Sequence, residues 1–69
     1  MPNEINLTYY WKMEREGLIK VLSADLDGVY YVDLTDGTGY CVITDGVETH
    51  EFYCDSKKQY RDYKEQFGS

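Results

Sequence analysis

The dipeptide Asp-Gly occurs three times in this chain at a constant interval, and no other sequence feature constrains the fold as strongly. The pairs are Asp27-Gly28, Asp36-Gly37 and Asp45-Gly46. Asp-Gly is favoured at the centre of a type I′ two-residue turn, because both central residues of that turn need a positive φ. Residues suited to extended chain flank each pair. The spacing therefore predicts a β-meander of short antiparallel strands.

Period-2 and turn patterns place five strands along the first four fifths of the chain. We predict them at about residues 5–13, 18–24, 29–35, 38–44 and 47–54. The first strand is predicted from the alternation of apolar and polar side chains that begins at Ile5 and ends at Met13. A helix through the segment YYWKMEREGLIKVL is the alternative interpretation, and Gly17 in its interior disfavours that helix by about 1 kcal/mol.

The C-terminal segment has a helical pattern. Asp55-Ser56 offers an N-cap, and Tyr60, Tyr63 and Phe67 follow at a spacing that places them on one helical face. We predict a helix over about residues 56–67. The chain is then a single α+β domain over residues 1–69, with a five-stranded antiparallel β-meander and one C-terminal helix packed on one face. Curling of the sheet towards a small barrel is an alternative to an open sheet, since Gly39 permits a bend.

Two-residue turns at Asp36-Gly37 and Asp45-Gly46 predict that Val32 faces Cys41 and that Cys41 faces His50. This register assigns every strand residue to one face of the sheet. We expect the following side chains in the core under the helix: Ile19, Val21, Tyr30, Val32, Leu34, Cys41, Ile43, His50 and Phe52. The other face is expected to carry Leu22, Ala24, Val29, Tyr31, Asp33, Tyr40, Val42, Thr49, Glu51 and Tyr53.

The second face is unusually aromatic for a surface exposed to solvent. Tyr31, Tyr40 and Tyr53 project from neighbouring strands, with Asp33 and Glu51 between them. Tyrosine supplies large and rigid contact area at a low entropic cost, and it is enriched in binding surfaces. We predict a partner-binding surface here. The alternative is that the three rings form the inner wall of a small barrel.

Successive turns of a meander lie at alternate ends of the sheet, so several carboxylates are predicted to meet at one end. This acidic rim consists of Asp25, Asp27, Asp45 and Glu48, with Glu4 nearby and no Lys or Arg expected among them. The turns themselves explain Asp27 and Asp45, because Asp favours these positions. Asp25 and Glu48 have no such explanation, and we predict that the rim binds a basic site on another protein.

Metal and catalytic chemistry find little support in the sequence. The segment Asp25-Leu26-Asp27-Gly28 lacks the later oxygen ligands of a calcium loop. Cys41 and His50 have no third zinc ligand, since the predicted register puts Cys54 about 13 Å further along the strand. The same offset argues against a Cys41–Cys54 disulfide. We expect no metal, no cofactor and no enzymatic activity.

The length of the chain and its net charge set further limits on its partners. The chain has 69 residues, 13 acidic and seven basic side chains and a net charge of −6, which disfavours direct binding to nucleic acid or anionic lipid. There is no apolar run of the length of a membrane span and no secretory signal at the start. We expect a cytoplasmic protein, within the host cell if the protein is viral. A chain this small gains stability from a partner or a second copy, so a homodimer is an open possibility.

These features together favour a non-catalytic, acidic protein-binding module. The specific expectation is an inhibitor that blocks a basic or nucleic-acid-binding site on a partner protein, as virus-encoded counter-defence proteins do. One alternative is an immunity or antitoxin protein that neutralises a toxin by the same physics. Another is a protein that binds a nucleotide-like small ligand in a tyrosine-lined cleft, and a third is a purely structural subunit.

Overall fold

A computed structural model describes residues 4–67 of the chain. The elements in chain order are α1 (Leu7–Arg15), β1 (Ile19–Asp25), β2 (Gly28–Asp33), β3 (Gly39–Thr44), β4 (Thr49–Tyr53) and α2 (Lys57–Phe67). The four strands form one antiparallel sheet in the order β1-β2-β3-β4. This is an α+β fold with an open sheet. The predicted α+β class and antiparallel meander are confirmed, whereas the described residues contain four strands and no closed barrel.

The predicted first strand, residues 5–13, is wrong, because this segment contains helix α1. The Asn6 side chain caps the helix by accepting a hydrogen bond from the Tyr9 N–H at 3.2 Å. The helix ends in a Schellman motif, in which Gly17 N–H donates to Glu14 C=O and Leu18 N–H donates to Met13 C=O. Gly17 has a φ of +80°, the left-handed conformation that this motif needs at the residue after the cap. Gly17 therefore ends a short helix instead of interrupting a long one.

The three Asp-Gly pairs form turns, but none of the turns is type I′, because no described residue other than glycine has a positive φ. Leu26 and Asp27 make the first turn, and Gly28 already belongs to β2. In the second turn, Asp33 N–H donates to Thr38 C=O at 2.8 Å, which leaves a four-residue loop that ends with Gly37 at φ +74°. In the third turn, Gly46 has a φ of +93° and is the first residue of a two-residue loop.

These turns shift the strand register from the predicted one by two residues. Tyr30 lies opposite Cys41, where Val32 was predicted, and Cys41 lies opposite Phe52, where His50 was predicted. A shift of two residues keeps every side chain on its face, because side chains alternate with a period of two. The predicted faces of β2, β3 and β4 are therefore retained even though their cross-strand partners differ.

Strand β1 departs from the predicted faces because its register shifts between Val21 and Ser23. An extra residue of this kind is a β-bulge, and it reverses the alternation for the rest of the strand. Leu22 consequently packs on the face covered by α2, and Val21 packs on the opposite face, the reverse of the prediction. Ala24 lies on the predicted face. Leu34, which was predicted in the core, is in a turn and is 54% exposed.

The sheet separates two hydrophobic clusters, one under each helix. Under α2 lie the buried side chains of Tyr30, Cys41, Ile43, Cys54 and Tyr60. Under α1 lie those of Ile5, Val29 and Val42, with Leu7, Tyr10 and Tyr31 packed at their edge. Helix α1 therefore covers part of the face on which the partner-binding surface was predicted. The rest of that face remains open towards β4.

Candidate protein-binding surface

Five tyrosine rings form a continuous row across the sheet from α1 to the edge strand β4. The register places Tyr31 opposite Tyr40 and Tyr40 opposite Tyr53, with ring centroids 5.7 and 5.5 Å apart. Tyr10 lies 5.5 Å from Tyr31, and Tyr9 lies 5.5 Å from Tyr10. These separations are in the range at which aromatic pairs attract each other. We call this set the tyrosine row.

Exposure increases towards the two ends of the tyrosine row. Tyr53 is 73% exposed and Tyr9 is 54% exposed, whereas Tyr10, Tyr31 and Tyr40 are partly buried. Burial and the nearby carboxylate of Glu51 raise the pKa of both Tyr10 and Tyr31 above the usual value for tyrosine. The fold therefore holds the inner rings in place, and their hydroxyl groups remain neutral. The outer ring at Tyr53 stands on the free edge of the sheet.

The two predicted acidic members of this surface have different roles. Asp33 Oδ1 accepts hydrogen bonds from the Thr35 N–H at 2.8 Å and from the Thr35 hydroxyl at 2.6 Å, and these bonds lower the pKa of Asp33. Asp33 therefore stabilises the second turn. Glu51 is exposed beside Tyr53, and within residues 4–67 it has no cationic partner. Asp36, which was not predicted in the site, accepts a 3.4 Å hydrogen bond from the Tyr40 hydroxyl.

The predicted acidic rim is partly neutralised by a lysine. Lys64 Nζ lies 2.9 Å from Asp25 Oδ2 and 3.1 Å from Asp27 Oδ1. The Tyr60 hydroxyl donates a further hydrogen bond of 3.2 Å to the same oxygen of Asp25. The hydrogen bond from Lys64 lowers the pKa of Asp25. The expectation that no Lys or Arg lies among the rim carboxylates is wrong, because α2 crosses the sheet at this end.

The other half of the predicted rim is formed by the third turn. Asp45 Oδ1 accepts hydrogen bonds from the N–H groups of Val47 and Glu48, both at 2.8 Å, and these bonds lower the pKa of Asp45. Glu48 is exposed, with Oε2 3.9 Å from His50 Nε2. Asp45 is thus a turn-forming residue. In the acidic rim, Asp25 and Asp27 pair with Lys64, and Asp45 holds the third turn. Glu48 is the most accessible carboxylate of the rim.

A groove of about 520 Å³ lies beside the exposed end of the tyrosine row, around the C-terminal end of β4. Its lining residues are Tyr40, Glu51, Phe52, Tyr53, Asp55, Gln59 and Tyr63. The rings of Phe52 and Tyr63 stack with their centroids 4.5 Å apart. Four aromatic rings and two carboxylates therefore line the groove, and no Lys or Arg does. Tyr31, which was expected in a tyrosine-lined cleft with Tyr40 and Tyr53, lies outside it.

Sequence reasoning missed Tyr9, Tyr10 and the α2 side of the groove. Tyr9 and Tyr10 were assigned to a strand, and only the position of α1 brings Tyr10 to Tyr31. Gln59 and Tyr63 lie on α2, whose position relative to β4 is a tertiary property. The helical spacing of Tyr60, Tyr63 and Phe67 was the available signal that aromatic rings would face the sheet.

Cys41 and His50 do not lie opposite each other as the predicted register required. The register of the structure instead brings Cys54 close to Cys41 in the cluster under α2, where the two thiols interact, so the predicted wide separation of these cysteines is wrong. Cys41 lies opposite Phe52, and His50 lies opposite Ile43. Both cysteines are buried free thiols, and burial raises the pKa of Cys41 to about 12. Between residues 4 and 67, no three His, Cys, Asp or Glu side chains are arranged to hold a metal ion.

Comparison with known proteins identifies no relative. No protein-family model matches the chain, and searches of curated proteins and of solved structures found no match. In the part of the chain that the structure describes, neither helix has the length and hydrophobicity needed to cross a membrane. The tyrosine row, the groove and their charges are the features of this molecule that point to a function.

Proposed function

We propose that this protein is a non-catalytic module that binds another protein through the tyrosine row. The observation that carries the proposal is the exposed end of the row, where Tyr53 and Glu51 stand on an edge strand next to a groove with aromatic walls. Tyr53 is 73% exposed, although its ring packs against a row whose inner members are partly buried. Exposed aromatic side chains on a rigid support are typical of the central contacts of protein interfaces.

Charge indicates the chemistry of the partner. The protein has a net charge of −6, and the carboxylates of Glu51 and Asp55 line the groove without a lining Lys or Arg. A partner with a basic surface would be attracted over a distance and would relieve the repulsion between these carboxylates. If that basic surface is a nucleic-acid-binding or catalytic site, binding blocks it. Inhibition is therefore the biological outcome that we propose, and an immunity protein would act through the same contacts.

The proposal is tested by capturing partners from the native host with the wild-type protein and with two matched variants. Tyr53→Ala removes the exposed ring of the row. Leu26→Ala removes an apolar side chain that is 62% exposed at a different position, in the first turn. A central aromatic contact contributes more than about 1 kcal/mol to binding, so Tyr53→Ala should weaken binding at least roughly fivefold, and Leu26→Ala should leave it unchanged.

Salt dependence provides the second part of the test. Binding to a basic surface should weaken as ionic strength increases, because exposed charges are screened. A partner that both variants retain equally would show that the tyrosine row is not the contact. A partner whose affinity does not change with salt would show that the bound surface is not basic.

A second candidate function is supported by the groove itself. Its volume of about 520 Å³ is within the range of small-molecule sites, roughly 300–1,000 Å³. An aromatic, nucleotide-like ligand could stack on the groove rings, although the two carboxylates disfavour phosphate. A thermal-shift screen with uncharged and cationic aromatic compounds tests this function, because a ligand that binds only the folded state raises the melting temperature. Tyr63→Ala should abolish such a shift.

A further inference from the structure

Strand β4 has a free edge with backbone groups that no described residue bonds. Cys54 N–H donates to Gly39 C=O at 3.0 Å, so Cys54 and Gly39 form a hydrogen-bonded pair. Bonded and non-bonded pairs alternate along an antiparallel ladder, which makes Phe52 and His50 the next bonded residues of β4. The N–H and C=O groups of Thr49, Glu51 and Tyr53 must then point away from β3. These three residues present an unpaired strand edge.

The opposite edge of the sheet is protected. Glu14 on α1 accepts a 2.6 Å hydrogen bond from the outward N–H of Val21 on β1. The β-bulge at Leu22 also distorts that edge. Bulges and covering elements are the usual means by which proteins prevent an edge strand from pairing with another chain. The corresponding positions of β4 have neither a bulge nor a covering side chain among residues 4–67.

The side chains beside the free edge indicate what could pair with it. On one face, Glu51 and Tyr53 extend the tyrosine row to the edge, and on the other Phe52 stacks with Tyr63. A strand added to β4 would place alternate side chains on these two faces. Next to Glu51 and Tyr53, a Lys or Arg would gain a cross-strand ion pair and a cation–π contact. Next to Phe52, an apolar side chain would be favoured.

A second copy of this chain is a poor occupant of the same edge. Each copy has a net charge of −6, and pairing β4 with its own copy about Glu51 would place two carboxylates opposite each other. Like charges directly opposite each other destabilise a strand pair. The charge on and around β4 therefore favours a segment of opposite charge.

We propose that β4 accepts an extended segment of a partner protein as a fifth strand, in which Lys or Arg alternates with apolar residues. This inference rests on the proposed function and makes it more specific. Main-chain hydrogen bonds to Thr49, Glu51 and Tyr53 supply affinity, and the alternating side chains supply specificity, as in other cases of β-strand addition.

The test uses the full-length protein labelled with ¹⁵N and the synthetic peptide Lys-Val-Lys-Val-Lys-Val-Lys. Hydrogen exchange is measured at each amide with and without the peptide. Strand addition should slow the exchange of the Thr49, Glu51 and Tyr53 amides by about tenfold or more, because these N–H groups become hydrogen bonded. The amides of His50 and Phe52 are already bonded to β3 and should change less. A peptide with alternate Glu and Val residues should have no effect.

Two variants at one position separate the backbone contribution from the charge. Glu51→Gln keeps the outward N–H and removes the carboxylate, and we expect it to weaken peptide binding severalfold. Glu51→Pro removes the N–H as well, and we expect it to abolish binding. Proline is tolerated on an edge strand where the N–H faces solvent, so circular dichroism and the melting temperature should confirm that the variant is folded. A peptide with N-methylated valines lacks the backbone N–H groups that would pair with β4. It should not bind the wild-type protein.

The possible outcomes distinguish this inference from the proposed function. If the peptide shifts the signals of Tyr40 and Tyr53 without slowing exchange at Glu51, strand addition is wrong and binding through the tyrosine row stands. If hydrogen exchange of the β4 edge amides slows as the protein concentration is raised without peptide, a second copy is the occupant and the inference is overturned. If the peptide does not bind, the inference also fails, and partner capture with Tyr53→Ala decides the proposed function independently.

Discussion

Replacing Gly39 with alanine should destabilise this protein more than the same change at a glycine with open surroundings. Gly39 is the first residue of β3, between Val32 on β2 and Cys54, the residue that follows β4. A Cβ atom at this position would overlap the backbone carbonyl oxygen of Cys54 and approach Tyr30 Cε1 at 3.5 Å. The overlap is with main chain, so a side-chain rotation cannot relieve it. Strand β4 would have to move away.

Two effects determine the magnitude. Moving β4 breaks the 3.0 Å hydrogen bond from Cys54 N–H to Gly39 C=O, which costs about 0.5–1.5 kcal/mol. Forcing the added methyl group against the buried backbone of Cys54 costs about 1–3 kcal/mol more. The expected total is about 1.5–4.5 kcal/mol. A domain of this size has an unfolding free energy of roughly 3–10 kcal/mol, so the substitution removes a large fraction of its stability.

Urea denaturation followed by tryptophan fluorescence measures this loss, with Gly17→Ala as the matched control. A Cβ atom added to Gly17 would meet nothing within 4 Å, but the φ of this residue is +80°, so alanine costs only the backbone strain of about 1–2 kcal/mol. With a urea m-value of about 1 kcal/mol/M, the midpoint should fall by about 1.5–4.5 M for Gly39→Ala and by about 1–2 M for Gly17→Ala. A smaller loss at Gly39 than at Gly17 would refute the steric argument.

Three further predictions concern pH, the ion pairs of Lys64 with Asp25 and Asp27, and the N-cap of α1. Burial raises the pKa of Cys41 to about 12, so above pH 9 the unfolded chain binds fewer protons than the folded chain. The free energy of unfolding should therefore fall between pH 9 and 12. An unchanged urea midpoint at pH 8 and pH 10.5 would contradict this. Lys64→Met removes the contacts to Asp25 and Asp27 and should cost about 0.5–1.5 kcal/mol, because the carboxylates are partly exposed. Since Lys64 lowers the pKa of Asp25, the wild type should lose this extra stability as the pH falls below about 4, and the two proteins should then converge in acid titrations. Asn6→Ala removes the N-cap of α1 and should lower the stability by about 1 kcal/mol in thermal denaturation, whereas Asn6→Asp should preserve it; an equal loss in both variants would argue against the cap.

Local chemistry was sufficient to predict the strands of the meander and helix α2. The Asp-Gly pairs mark three chain reversals, although their geometry differs from type I′. The error in register was an even number of residues, so Tyr31, Tyr40 and Tyr53 were still placed on one face. An alternating pattern determines which face a side chain occupies more reliably than it determines the residue opposite it.

The N-terminal segment shows where local patterns were ambiguous. Residues 5–13 alternate between apolar and polar side chains as a strand does, yet Leu7 and Tyr10 pack on the sheet at a helical spacing and Tyr9 and Trp11 are exposed. The capping by Asn6 and the Schellman motif at Gly17 outweigh the alternation. Two capping signals at the ends of a segment were therefore more informative than the pattern between them.

The sequence by itself determined the acidic character, the chain reversals, the helix at the C-terminus and the common face of three tyrosines. Each of these follows from residue type or from contacts between near neighbours. Only the tertiary structure decided that Tyr10 joins the tyrosine row, that Lys64 neutralises Asp25 and that Tyr63 forms one wall of the groove. These contacts join residues far apart in the chain. They depend on where the helices settle on the sheet, which is set by the packing of both hydrophobic clusters at once.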